Sequence, residues 1–237
     1  MGGPLLARAL AALAVLALLV AAGVVLARRA LRGRVAARRG VPPPARRAAL
    51  TALHHLLADA AEASGARLFL HYGTLLGYAR SGDLICYDYD LDYGVAEDEF
   101  PAAEAAVRAA AAAADAAAGG AGAFGVRCER RPWNLKLEVV HRPTGITADV
   151  FPLRAGPRGV KRARVPAPAL TWLMGERVAF LPGAAVFPLV ETGFLGRRAF
   201  VPADPHRVLA LLYGPGYLTP DHVCDAGCNS CVRRAAP

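Results

Sequence analysis

The stretch HYGTLLGYARSGDLICYDYDLDYGV, His71 to Val95, decides the fold. It opens on Gly73 and Thr74, runs through helix-forming residues, and ends in an alternating segment with aspartate at every second position: Asp88, Asp90 and Asp92. Gly-Thr followed by helix formers predicts a short helix capped by Thr74, with its first backbone N–H groups facing outward. The alternation of LICYDYDLDYGV predicts a strand. On a strand, side chains at i, i+2 and i+4 share a face, so the three carboxylates line up about 6–7 Å apart and Tyr89, Leu91 and Tyr93 cover the other side. Carboxylates this close raise one another's pKa unless a cation lies among them, which points to a divalent metal.

Working outward, AALTALHHLLADAAEA, Ala48 to Ala63, repeats its apolar residues at helical spacing, and ARLFLHY after it is a short strand. His54 and His55 fall in that helix. Adjacent side chains there diverge by about 100°, which disfavours a shared metal and leaves surface or core roles. Pro101 to Gly120 starts with proline, ends in Gly-Gly and is alanine-rich between, which predicts a covering helix. FGVRCE, NLKLEVVH and GITADVF follow as three strands, the last two joined by the turn RPTG. Glycine and proline punctuate residues 156–202, a loop-rich part in which FPLVETGFLGRRAFVP reads most simply as a hairpin with Arg197 and Arg198 at its turn. A last helix starts near Asp204 with Pro205 in its first turn. Alternating helices and strands define an α/β (α+β) domain.

Upstream, Ala9 to Ala27 is an uncharged run of 19 residues, long enough as a helix to span nearly all of a ~30 Å hydrocarbon core. It is expected to anchor the chain in a bilayer. The formal charge of +9 resides in nine arginines within the first 47 residues, where there is no acid; beyond them 19 basic residues face 19 acidic ones. The folded region therefore lacks the excess charge of a nucleic-acid surface, and no nucleic-acid partner is expected. The expected organisation is an anchor at 1–29, a basic Pro-rich stalk at 30–47, a domain at 48–221 and a Cys-rich tail at 222–237.

Four chemistries fit the aspartates. An edge strand can carry charge merely to block aggregation. A calcium loop would use Asp88, Asp90, Asp92 and Glu99 at positions 1, 3, 5 and 12, but position 6 needs glycine and is Tyr93. A D-x-D sugar-nucleotide glycosyltransferase usually needs several βα units ahead of the motif, and only about forty residues separate the stalk from Asp88. The polymerase-β-type nucleotidyltransferase fold uses the most residues: a Gly-Thr turn and helix, a strand with paired aspartates, and a third aspartate on a later strand, for which Asp149 in GITADVFPL is the candidate.

GTLLGYAR, YDYDLDYG, ADVFPL and LYGPGYLTPD, in this order from about His71 to Asp221, resemble the motif series of the LicD, fukutin and fukutin-related protein family. The resemblance implies a mixed-sheet nucleotidyltransferase-like domain that transfers a phospho-alcohol, phosphocholine in bacterial members and ribitol 5-phosphate in Golgi members, from a CDP-linked donor to a glycan hydroxyl. It implies catalytic Asp90, Asp92 and Asp149, with Mg²⁺ or Mn²⁺ on these three and Asp88 beside them. Gly73, Thr74, Arg80 and Lys136 would meet the donor phosphates. Trp133 and Trp172 are candidates to pack on the acceptor sugar. FPLVETGFLGRRAFVP resembles the family's segment before its last helix and is a candidate for substrate contacts. Arginines after the apolar run favour a cytoplasmic domain by the positive-inside rule, whereas the resemblance favours the Golgi lumen, which is the expectation taken.

The cysteines are Cys86, Cys128, Cys224, Cys228 and Cys231. His222, Cys224, Cys228 and Cys231 could supply four zinc ligands, and a disulfide is the other reading. Cys86 and Cys128 are expected as buried thiols.

Overall fold

The computed structural model describes residues 40–120, 122–131, 134–163, 178, 180–225, 228 and 230–234. The expected anchor at 9–27, the stalk up to residue 39, Trp133 and Trp172 lie outside the described residues; among those described, no helix is long and apolar enough to cross a membrane. The chain divides after Gly40, and the unit considered is Val41–Pro237.

The first helix, α1, runs Pro43–Ser64. Proline suits a first helical turn, so the Pro-rich stretch expected as stalk starts the domain instead, and Arg46 is buried with its Nη2 donating to the Cys86 carbonyl at 2.7 Å. Strand β1 is only Phe69–Leu70; α2 is Tyr72–Ser81 and β2 is Asp90–Ala96. Helix α3, Phe100–Ala117, buries Phe100, Ala103, Val107 and Ala111 as one stripe against the sheet. Strands β3, Phe124–Arg131, β4, Asn134–His141, and β5, Ile146–Gly156, form a meander, with β6, Gly159–Arg162, added to the end of β5. A one-turn helix α4, Gly183–Val186, precedes the hairpin β7, Val190–Phe194, and β8, Arg197–Val201. Helix α5 is Pro205–Tyr213, capped by Asp204, whose carboxylate accepts from the Arg207 N–H at 2.9 Å. Strands β9, His222–Cys224, and β10, Cys231–Arg233, close the described chain as a small hairpin.

The large sheet has the order β3-β4-β5-β2-β1-β8-β7 and is mixed: β2–β5 and β1–β8 are parallel, the other pairs antiparallel. Helices α1 and α3 cover the face that carries Leu91, Tyr93 and Val95, all fully buried. Packing there is tight. Phe69 lies opposite Gly94, and a Cβ on Gly94 would come within 2.3 Å of the Phe69 ring, so glycine makes room for the aromatic. Among the described residues ahead of Asp88 there is one short strand between two helices, not the series of βα units a D-x-D glycosyltransferase uses.

Candidate active site

The carboxylates meet through strand register. On the parallel pair β2–β5, Asp92 lies opposite Asp149 and Asp90 opposite Thr147. Asp90, Asp92 and Asp149 therefore share the sheet face turned away from α1, as period-2 alternation requires. Asp88 differs from the expectation: it precedes β2 on the loop from α2, so two carboxylates rather than three share that strand. The loop is fastened at Cys86 and Tyr87 by contacts described below.

Helix α2 is aimed at this face by its first turn. Tyr72 adopts φ 39°, a left-handed conformation that costs a bulky residue about 1–3 kcal/mol and sends the chain sharply out of β1. His71, not Thr74, holds the cap position; Thr74 is inside the helix, buried, and its Oγ1 accepts from the Asp92 N–H at 2.8 Å. The Gly73 N–H donates to the Asp92 carboxylate. A Cβ on Gly73 would fall 2.9 Å from Asp88 Oδ2, so glycine is what lets that carboxylate lie against the helix.

Burial, then the charges of Asp90, Asp149 and Asp88, raise the Asp92 carboxyl far above its ordinary value. Burial, then Asp90, does the same to Asp88. Asp149 is also raised by burial, but Lys136 opposes the shift: its Nζ lies 2.6 Å from Asp149 Oδ2 and 3.4 Å from Glu138 Oε2. Burial works against the Lys136 charge, yet Asp149 and Glu138 more than offset it and the ammonium is held above its usual value. Asp149 Oδ1 is buried with no hydrogen-bond partner. A hard divalent cation suits such oxygen donors and the orphaned Oδ1, and Asp90, Asp92 and Asp149 are the residues that could hold it. Among the described residues no three His, Cys, Asp or Glu side chains are gathered closely enough to bind an ion as they stand, and Lys136 supplies the nearby positive charge.

Arg80 is turned elsewhere. Its guanidinium donates to the Tyr217 carbonyl at 2.7 Å and the Thr219 carbonyl at 3.3 Å, fastening the segment after α5 to the end of α2. That fastening brings in a residue the sequence reading quoted but did not assign. Tyr213, the last residue of α5, keeps 38% of its surface exposed, yet desolvation of its hydroxyl end, then the charges of Asp92 and Asp88, raise the phenol above its usual value, which places it in the field of the cluster. Its position just before the Gly-Pro-Gly break was the available signal.

The zinc reading of the tail is overturned. Cys224 is disulfide-bonded to Cys231 and Cys228 to Cys86, so none of the three tail sulfurs is a free thiolate to ligate a metal. Cys86 is correspondingly not a thiol; Cys128 is the free cysteine, half-buried. The Cys86–Cys228 bond closes a loop of 142 residues, worth about 5 kcal/mol on the chain-entropy argument. Tyr87 strengthens the same junction, its hydroxyl donating to Asp221 Oδ1 at 2.8 Å and its ring lying 4.6 Å from that of His222. The tail is thus part of the domain wall beside Asp88.

Fold and carboxylate register together define a nucleotidyltransferase-type domain, and residues 65–204 match the family model described as LicD/FKTN/FKRP, nucleotidyltransferase domain. The chain belongs to that family. It is similar to the ribitol 5-phosphate transferase FKRP of Mus musculus and of Homo sapiens, 29% identical to each over 182 residues that cover 74% of this chain and 33% of the relative. The chain thus spans about a third of the length of these curated relatives. Among solved structures, the solution structure of the antibiotic-resistance factor ANT(2'')-Ia aligns with a TM-score of 0.37 and 16% identity, covering 65% of this chain and 66% of that one.

Proposed function

We propose that the protein is a phosphotransferase that moves a phospho-alcohol, ribitol phosphate- or phosphocholine-like, from a CDP-linked donor to a glycan hydroxyl. The observation that carries this is the pairing of Asp92 with Asp149 across two parallel strands, in a chain that belongs to the LicD/FKTN/FKRP family. The acceptor oxygen attacks the phosphorus that bears the alcohol, the anhydride P–O bond breaks, CMP leaves, and the hydroxyl proton passes to a carboxylate. Asp90, Asp92 and Asp149 are the residues that would hold Mg²⁺ or Mn²⁺, which would offset the charge of the diphosphate. Asp149, through the oxygen that Lys136 does not engage, receives or orients the hydroxyl proton. Gly73 and Thr74 keep Asp92 in place, and Lys136 balances charge at Asp149. Arg80 meets the donor phosphates only if it releases the carbonyls of Tyr217 and Thr219, so Lys136 is the better placed cation.

Two disulfides among the described residues support an oxidising compartment, in keeping with a Golgi-lumenal domain tethered through residues 9–27. The test incubates the full chain with Mg²⁺ or Mn²⁺, CDP- and UDP-linked donors and mixed glycans, and identifies the nucleotide released. Metal-dependent CMP that disappears in Asp90→Asn is the expected result. Release of UDP or CDP would mean attack at a sugar carbon and would replace this reading with a glycosyltransferase.

A further inference from the structure

A cavity of about 630 Å³ opens beside Asp88, between the first turns of α1, the α2–β2 loop and the tail fastened by Cys228. Its size falls within the ~300–1,000 Å³ of sites that take small organic ligands. Two arginines line it, and both are engaged: Arg46 with the Cys86 carbonyl, and Arg47 by a fork onto both oxygens of Asp83 at 3.0 Å. Asp225 brings a second negative charge to the wall, Asp88 adds a buried carboxyl, and Pro43, Leu50 and Ile85 make an apolar strip. Asp83 and Asp225 offset the two arginines, so the lining has no excess positive charge to hold a diphosphate. A neutral ligand with many hydroxyls suits it, because hydroxyls donate to carboxylates and the C–H faces of a sugar ring pack on apolar side chains.

Asp88 is the residue that joins this cavity to the chemistry. One side of it faces the cavity, and Oδ2 lies against Gly73 at the start of α2, where Asp92 is held. Asp149, with Oδ2 taken by Lys136, has only Oδ1 left to receive the hydroxyl proton, so a further carboxyl is needed to orient the acceptor. We propose that this cavity is the acceptor subsite, taking a neutral polyhydroxylated sugar, and that Asp88 accepts a hydrogen bond from the acceptor hydroxyl and so orients it. The assignment rests on the transfer reaction proposed above and names where its second substrate sits.

Two measurements separate the fate of this assignment from that of the reaction. Saturation-transfer NMR with a mixture of methyl glycosides (β-galactoside, β-xyloside, N-acetyl-β-galactosaminide) is run on the full chain and on Ser81→Trp, which fills the cavity from the rim. Arg47→Trp fills it from the α1 side and loses only an exposed ion pair, worth little in folding. Saturation in the parent chain that vanishes in both variants, with thermal melts unchanged, is the expected result whether or not any donor turns over. Saturation that persists in both, or is absent from the parent chain, overturns the subsite. With a working CDP-linked donor, the variants raise the acceptor KM by about tenfold or more while the donor KM moves less than about twofold. Equal increases in the two would place the donor there instead and overturn the assignment.

Discussion

The two faces of β2 show opposite solutions to one problem. Residues alternate along the strand, so Leu91, Tyr93 and Val95 go to one side and Asp90 and Asp92 to the other. On the first side, among the described residues, the buried polar groups of Tyr93 and His54 are answered. The His54 Nε2–H donates to the Phe194 carbonyl at 2.7 Å, which fixes the tautomer and leaves Nδ1 to accept from the Tyr93 hydroxyl at 2.7 Å. On the second side carboxylates are pressed together, and Asp149 keeps an oxygen with no partner. The first arrangement serves stability. The second holds charge against its own repulsion, which is useful only to a substrate or ion that relieves it.

Neighbouring substitutions on β2 should therefore part company. Asp92→Asn is expected to lower the rate of CMP release by about a hundredfold or more, while leaving stability unchanged or raising it by about 0.5–2 kcal/mol through loss of like-charge repulsion. Leu91→Ala should do the reverse, costing about 2–5 kcal/mol of stability by cavity formation with a near-normal rate in the folded fraction. Urea melts and initial rates on the same preparations decide it. A strongly destabilised Asp92→Asn would mean that the carboxylate face is structural after all.

Acid should separate the faces next. Burial lowers the His54 pKa from 6.5 to about 4, so between those values the unfolded chain binds a proton that the folded chain refuses. Stability from this group is present above pH 6.5 and is lost as pH falls toward 4, by about 3 kcal/mol in all. The carboxylates have the opposite sign: raised in the folded state, Asp88, Asp92 and Asp149 keep protons that the unfolded chain releases, and they cost stability as pH rises from the usual carboxylate range. His54→Gln is expected to flatten the fall in stability between pH 6.5 and 4 by up to one proton, leaving in place the contribution of His71, whose pKa burial lowers to about 3. An unchanged slope would show that His54 is not the neutral link described.

How much of this was legible in the sequence depends on the reach of the interaction. The two large helices, the β3–β5 meander and the α5 cap declare themselves through periodicity, proline and an Asp at the right offset, all local signals. Asp149 is an ordinary aspartate on its own, and it stood out only because the expected layout calls for a third carboxylate on a later strand; the register puts it opposite Asp92. The position of Asp88 was not legible: the alternation of aspartate with Tyr and Leu runs unbroken from Tyr87 to Tyr93, and what lifts residues 84–89 off the sheet is Arg46 at the Cys86 carbonyl, Asp221 at Tyr87 and Cys228 at Cys86, each far away in sequence. Disulfide pairing likewise has no local signature, so a compact Cys-rich tail reads as well for zinc as for two bridges, one of them to a cysteine 142 residues upstream. The Pro-rich start of α1 was misread because proline marks both stalks and first helical turns, and only the burial of Arg46 distinguishes them.

The smallest effect tests the seam between the two faces. Strand β1 stops at Leu70, one residue before the ladder would reach Asp92; the His71 N–H still donates to the Asp92 carbonyl at 2.9 Å, but the Asp92 N–H has no further strand partner on that side. Thr74 supplies the missing acceptor from inside α2, so a helix side chain extends the sheet by one bond. Thr74→Val keeps the shape and removes the acceptor, leaving a buried N–H unanswered at a cost of about 1–2 kcal/mol. Because that N–H belongs to the residue whose carboxylate is proposed to act in the transfer, the rate should fall by several-fold as well, and Thr74→Ser should recover most of both. A stability loss without any change in rate would mean that Gly73 alone holds the Asp92 carboxylate, and that the two faces of β2 are mechanically independent.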